Sequence, residues 1–226
     1  MSTRQASDRD DPVIESIAQL AEPMAAGEKP RDRWRIGTEH EKLVYDTADH
    51  HAPSYDEPGG IRDLLLALGD YGWTPVEEGG KVIAMAGADG TVSLEPAGQL
   101  ELSGAPLENV HQTCTELMAH LAQVREVARP LGIGFLGLGM TPSWSRAQIP
   151  VMPKGRYRIM TNYMPKVGRY GLDMMYRTCT VQTNLDFCSE ADMVKKLRVS
   201  LALQPVATAL FANSPFTEGK PNGFLS

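Results

Sequence analysis

The chain is poor in cysteine, has no excess of positive charge and contains no long apolar run. Its 226 residues include three cysteines, Cys114, Cys179 and Cys188, an odd number without CxxC spacing. That pattern argues against a disulfide framework and a zinc knuckle and is read as belonging to the reducing cytosol, so a cytoplasmic protein is expected. Lys and Arg number 22 against 28 Asp and Glu, a formal net charge of -6. A nucleic-acid partner is therefore not expected, because phosphate backbones demand clustered cations; a small anion could still bind a locally arranged site. The opening MSTRQASDRD is polar, and no later stretch reaches the roughly 18 consecutive apolar residues of a membrane span. Neither secretion nor a membrane partner is expected. A GxxxxGK[ST] phosphate loop and a metalloprotease histidine spacing are also missing.

With 42% hydrophobic and 22% charged residues, the composition is that of an ordinary globular chain. Residues 1–30 read as a polar tail and one helix, from Pro12 to Ala26 with Asp11 as its cap. Residues 31–226 read as one domain. A strand over Arg33 to Tyr45 is interrupted by the charged Glu39-His40-Glu41-Lys42. Gly60 to Leu68 is a short amphipathic helix. Lys81 to Ala86 and Thr91 to Leu94 flank Gly87-Ala88-Asp89-Gly90, whose Asp-Gly predicts a tight hairpin turn. Val110, Leu117, Met118, Leu121, Val124 and Ala128 recur at three- and four-residue intervals, predicting a helix over 107–128. Strands follow at Ile133 to Met140 and Thr178 to Phe187, the second with Thr180, Gln182, Asn184 and Asp186 on one polar side. Between them, Pro142 to Met175 lacks strong periodicity and is expected to be an ordered functional loop, the place to look for a lid. A helix over 191–211, kinked at Pro205, comes last. Antiparallel strands among long helices, without regular alternation, indicate an α+β fold.

Glu39 and Glu41 lie two apart on a strand, so both project from one face with His40 on the other. Two anions this close repel unless a cation lies between them, and magnesium suits oxygen ligands completed by water and phosphates; a solvated, charged strand end is the alternative. Glu95 and Glu101 form a second pair, separated by Pro96 and Gly98. If the chain becomes extended again at Leu100, Glu101 faces the place where Glu95 points. An ordinary acidic loop is the competing reading.

Three other features carry less chemistry. Gly132-Ile133-Gly134-Phe135-Leu136-Gly137 satisfies GxGxxG, yet it follows a helix and leads into Thr141-Pro142, the reverse of the dinucleotide-binding context. Its glycines read as points of close approach by backbone or ligand. His50-His51 read as a surface loop, and His111 and His120 as lying on or near a helix surface. Cys179 reads as a small buried thiol rather than a nucleophile.

Four segments resemble the plant and proteobacterial type of glutamate-cysteine ligase: IGTEHEK from Ile36, SLEPAGQLELSGAP from Ser93, GRYRIMTNYMPKVG from Gly155 and DMMYRTCTVQTNLDF from Asp173. The resemblance implies the glutamine synthetase superfamily fold, an antiparallel sheet forming a funnel with flanking helices. It implies ATP as co-substrate, with glutamate and cysteine joined through a γ-glutamyl phosphate in the first step of glutathione biosynthesis. Mg2+ is the implied metal, with Mn2+ as a substitute, held by Glu39, Glu41, Glu95 and Glu101. Gln182 and Asn184 would line the catalytic centre. Arg177, Thr178 and Thr180 would contact substrate, with Tyr163, Met164 and Met175 shaping the cysteine pocket. The family pattern continues past Ser226, so an amino-terminal portion of the catalytic domain is expected, with an incomplete funnel. A superfamily ligase using another amine, and a non-catalytic metal- or nucleotide-binding fragment, are the rival readings.

Overall fold

The structure is a computed structural model that describes residues 13–224. In chain order the elements are α1 (Ile17–Ala25), β1 (Ile36–Asp46), α2 (Ile61–Ala67), β2 (Thr74–Glu78), β3 (Lys81–Ala86), β4 (Thr91–Leu94), β5 (Leu100–Ser103), α3 (Val110–Ala128), β6 (Ile133–Leu136), α4 (Gly155–Val167), α5 (Gly171–Arg177), β7 (Val181–Leu185), α6 (Glu190–Leu210), β8 (Phe216–Thr217) and β9 (Lys220–Pro221). The mixture of helices with an antiparallel sheet is the expected α+β class.

Seven strands form one sheet in the order β2-β3-β4-β5-β1-β6, with β7 also paired to β1. All of these pairings are antiparallel. β1 is the organising strand, because three others pair along its length: β7 beside Ile36 to His40, β5 beside Glu39 to Lys42, and β6 beside Leu43 to Asp46. It runs unbroken through the acidic segment, so the expected interruption is absent. Both neighbours supply ladder hydrogen bonds there, and Glu39 pairs with Ser103 on one side and Gln182 on the other.

The hairpin between β3 and β4 closes as its Asp-Gly predicted, with the Gly87 amide donating to the Gly90 carbonyl at 2.9 Å. A second tight turn joins β4 to β5. There the Glu95 amide donates to Gln99 O and the Gly98 amide to Glu95 O, both at 2.9 Å, while Gly98 takes φ +84°, a conformation costly for any residue with a Cβ.

One face of the sheet is apolar and meets α2 and α3. Val82, Met85, Val92, Leu94, Leu100 and Leu102 from the strands pack with Ile61, Leu64 and Leu65 of α2 and Val124, Val127 and Ala128 of α3. Each such side chain stabilises the fold by about 1.5–3 kcal/mol on full burial. Asn109 caps α3, its Oδ1 accepting the amides of His111 and Gln112, each at 3.1 Å.

Three further expectations change. Ser16, not Asp11, caps α1, and Asp11 and Pro12 lie outside the described residues. The 142–175 region is mostly helical, containing α4 and most of α5. Tyr157, Met160 and Met164 of α4 pack inward at helical spacing that the intervening charges and Pro165 obscured. Finally, His120 is buried, only 3% exposed, whereas His50, His51 and His111 are exposed as expected.

Neither ring nitrogen of His120 has a hydrogen-bond partner. Burial, with Lys42 and His40 nearby, pushes its pKa down to about 3, against roughly 6.5 for an unfolded histidine. Below about pH 6.5 the unfolded chain therefore gains a proton that the folded chain refuses until about pH 3, so this group removes stability as pH falls through that window. We expect His120→Leu to raise urea-unfolding stability, with a gain about 2 kcal/mol larger at pH 5 than at pH 8. An equal gain at both pH values would contradict this account.

Candidate functional site

Strand alternation places Glu39 and Glu41 on the face of β1 opposite His40 and Lys42. Glu41 is the direct cross-strand partner of Glu101 on β5, a juxtaposition of like charges that destabilises a sheet when nothing compensates it. The tight turn after β4 brings Glu95 to the same place. Glu41, Glu95 and Glu101 each offer an oxygen, and these oxygens lie within 4.8 Å of one another.

The three carboxylates differ in their partners. Glu41 accepts from the Thr180 amide at 2.8 Å and the Thr180 hydroxyl at 3.2 Å. Glu101 accepts from the Ser103 hydroxyl. Glu95 Oε1 is buried without a hydrogen-bond donor, the nearest cation being Arg156 Nη2 at 3.5 Å. Burial, followed by the Glu101 charge, pushes the Glu95 carboxyl up to about 7, although Lys154 and Arg156 act in the opposite direction. Burial also raises Glu41, partly offset by the Thr180 amide.

This donor set fits a hard divalent cation. It consists of oxygen alone, it concentrates negative charge, and one buried oxygen lacks a donor. Softer metals would call for sulfur or imidazole, and neither is in the cluster. Glu39 lies outside the group. Two residues along an extended strand is roughly 7 Å, and there Glu39 Oε1 accepts from Asn184 Nδ2 at 3.2 Å. Gln182 Nε2 in turn donates to Asn184 Oδ1 at 2.9 Å. The polar side of β7 thus continues the carboxylate face, and Thr180, Gln182 and Asn184 share it.

The remaining residues that the sequence singled out have other surroundings. Buried Arg177 is engaged by Asp173 at 3.2 Å and by Glu218. The Thr178 hydroxyl donates to Met174 O at 2.6 Å. Met175 and Met164 pack in a small apolar cluster with Ile149 and Tyr176. Tyr163 is 57% exposed. Cys179 is buried as expected, and burial pushes its thiol up to about 12, which removes the thiolate that a nucleophile needs.

Sequence reasoning missed Lys154 and Arg156. Lys154 is 3% exposed, its amine donating to Leu94 O at 2.6 Å, while the buried Tyr157 hydroxyl donates to the same carbonyl at 2.7 Å. Both contacts fasten the start of α4 to the residue preceding Glu95. Burial lowers the Lys154 pKa to about 8, so the amine is still mainly cationic at pH 7. The only available signal was the run of charges in Lys154-Gly155-Arg156-Tyr157-Arg158, and nothing in it points to a carboxylate some sixty positions earlier.

Residues 35–226 match the glutamate-cysteine ligase family 2. Curated relatives include the chloroplastic glutamate-cysteine ligases of Brassica juncea, 60% identical over 204 residues covering 90% of this chain and 39% of the relative; of Arabidopsis thaliana, 60% identical with coverages of 90% and 38%; and of Solanum lycopersicum, 56% identical over 225 residues with coverages of 95% and 42%. The chain thus spans about two fifths of the length of these relatives. Their chloroplastic names overturn the cytoplasmic expectation. Sparse cysteine indicates a reducing environment and does not distinguish one reducing compartment from another.

Replacing Lys154 with Met should remove the main cation opposing protonation of Glu95 and drive that carboxyl further above about 7. Carbon-detected NMR titration of the side-chain carboxyls checks this. A Glu95 titration unmoved or shifted downward would show that Lys154 does not set the local charge balance.

Proposed function

This chain belongs to glutamate-cysteine ligase family 2, and from that premise we propose that it carries the metal-binding part of the active site of an ATP-dependent ligase joining the glutamate side-chain carboxyl to the amine of cysteine. The observation that carries this reading is the convergence of Glu41, Glu95 and Glu101 on one point, with a buried Glu95 oxygen left without a donor. We assign the cation as Mg2+, with Mn2+ as a functional substitute. The seven-stranded sheet is read as the wall of a glutamine synthetase-like funnel with the carboxylates on its inner face.

In this mechanism the glutamate side-chain carboxylate attacks the γ-phosphorus of ATP and expels ADP, and the amine of cysteine then displaces phosphate from the resulting γ-glutamyl phosphate, giving up a proton as the amide forms. This is the first step of glutathione biosynthesis. A divalent cation bound here supplies the positive charge that offsets the phosphate oxygens. The protein's own groups hold and orient the reactants. Glu41, kept in place by Thr180, and Glu101, kept in place by Ser103, present fixed oxygens. Glu95 must give up its proton to join them. Glu39, Asn184 and Gln182 form a linked row along the same face that we assign to orienting substrate, and Glu39 would hold a second cation. Arg156 sits beside Glu95 and balances charge there. Arg177, Thr178, Tyr163, Met164 and Met175 are assigned to the walls of the substrate site, Arg177 acting through its pairs with Asp173 and Glu218, which tie the end of α5 to the turn between β8 and β9.

Two outcomes test this reading. Glu95→Gln should weaken Mn2+ binding, read by electron paramagnetic resonance, by about tenfold or more, and should lower ATP-dependent dipeptide formation in a full-length relative by at least about one order of magnitude. Because a protonated Glu95 cannot bind a cation, Mn2+ affinity of the unaltered chain should rise with pH up to about 7 and level off above; Glu95→Gln should flatten that rise. Undiminished binding in the variant would sink the assignment.

A further inference from the structure

A recess of about 520 Å3 lies on the other side of the sheet, between the end of α3, β1 and β6. Its volume falls in the range of small-molecule sites. Leu121, Val124, Ile133 and Phe135 supply apolar wall, and Lys42, Arg125 and Arg129 supply charge. No carboxylate is among its lining residues, in a chain whose net charge is -6. Among the described residues neither Arg125 nor Arg129 forms an ion pair. At the rim, Asp46 turns its Oδ2 toward Gly132 while its Oδ1 accepts the amides of Ala48 and Asp49; it pairs with neither arginine. Cations in the last turn of a helix are favoured by its dipole, which accounts for Arg125. It does not account for a third cation brought from β1, nor for the absence of acids.

The glycine-rich run that fails as a dinucleotide motif forms one side of this recess. Gly132, Gly134 and Gly137 all line it, and a side chain at Gly137 would meet nothing within 4 Å. Alternation along β1 puts Lys42 opposite Glu41, so the recess and the carboxylate cluster lie on separate faces.

We propose that this recess binds a small organic anion, an oxyanion group on a compact apolar body, at a site separate from the carboxylate cluster. The oxyanion sits between Arg125 and Arg129, whose planar guanidinium forks suit carboxylate and phosphate alike, and the body lies against Leu121 and Phe135.

Calorimetry on the chain with phenyl phosphate and with benzoate tests this, with benzyl alcohol and inorganic phosphate as controls. At least one aryl anion should bind one to one, about tenfold more tightly than either control, and its affinity should fall with added salt. The better of the two identifies a phosphate or a carboxylate as the preferred head. Arg125→Ala with Arg129→Ala, and separately Leu121→Trp to fill the recess, should each weaken binding by about tenfold or more while leaving Mn2+ affinity at the carboxylates unchanged. The proposal is overturned if neither aryl anion outbinds the controls, if binding survives both variants, if Glu95→Gln abolishes it, or if a structure of a full-length relative shows the recess filled by protein.

Discussion

Three carboxylates held within 4.8 Å of one another, with Lys154 and Arg156 set against their charge on one side, repel each other, and much of the surrounding structure serves to keep them there. Unit charges about 5 Å apart repel by about 3 kcal/mol at an effective dielectric of 20. Pairing of β1 with β5 sets Glu41 against Glu101, and the turn at Gly98 returns the chain so that Glu95 joins them. Behind these residues, Val44, Leu100 and Leu102 are buried against the helices, so moving either strand would expose apolar surface. Burial, followed by the Glu101 charge, pushes the Glu95 carboxyl up to about 7, and a proton there relieves part of the repulsion. A cation would relieve more of it and use the same oxygens. The packing that holds the strands in register is thus what brings the three carboxylates to one point.

The same strand separates two electrostatic environments. Glu39 and Glu41 project to one side of β1, and His40 and Lys42 to the other. Buried Lys42 and His120 lie on the helix side, and the cationic recess opens there. Such segregation gives a chain of net negative charge an acidic cluster on one face and a cationic recess on the reverse.

At the β7 edge the packing is thin. All five residues of β7 are exposed, and α6 has no buried residue although Leu197, Leu201, Leu203, Val206 and Leu210 all lie on it. A helix apolar around its circumference has the composition of one covered on several sides. This edge carries Gln182 and Asn184, so the thinly packed part of the sheet reaches the carboxylate face through the Asn184–Glu39 hydrogen bond. By contrast, α4 and α5 are anchored by Tyr157, Met160, Tyr176 and Met175. A packed helical pair occupies the stretch whose prolines and charges had suggested a loop.

Local pattern was enough for the features that depend on near neighbours: the Asp-Gly hairpin, the long α3, the shared face of Glu39 and Glu41, and the four motif segments that led to the family. These follow from backbone period and turn chemistry, which act over a few residues. The sequence did not reveal that Glu39 stands apart from the cluster, that Lys154 is buried beside Glu95, that His120 is buried without partners, or that Arg177 is committed to Asp173 and Glu218. Each of these depends on which distant strand or helix comes alongside, and that is decided by β5, β6 and β7 competing for positions along a single strand, β1. Residue type and spacing set which chemistry was available, while strand register and burial decided which groups meet and at what pKa they titrate.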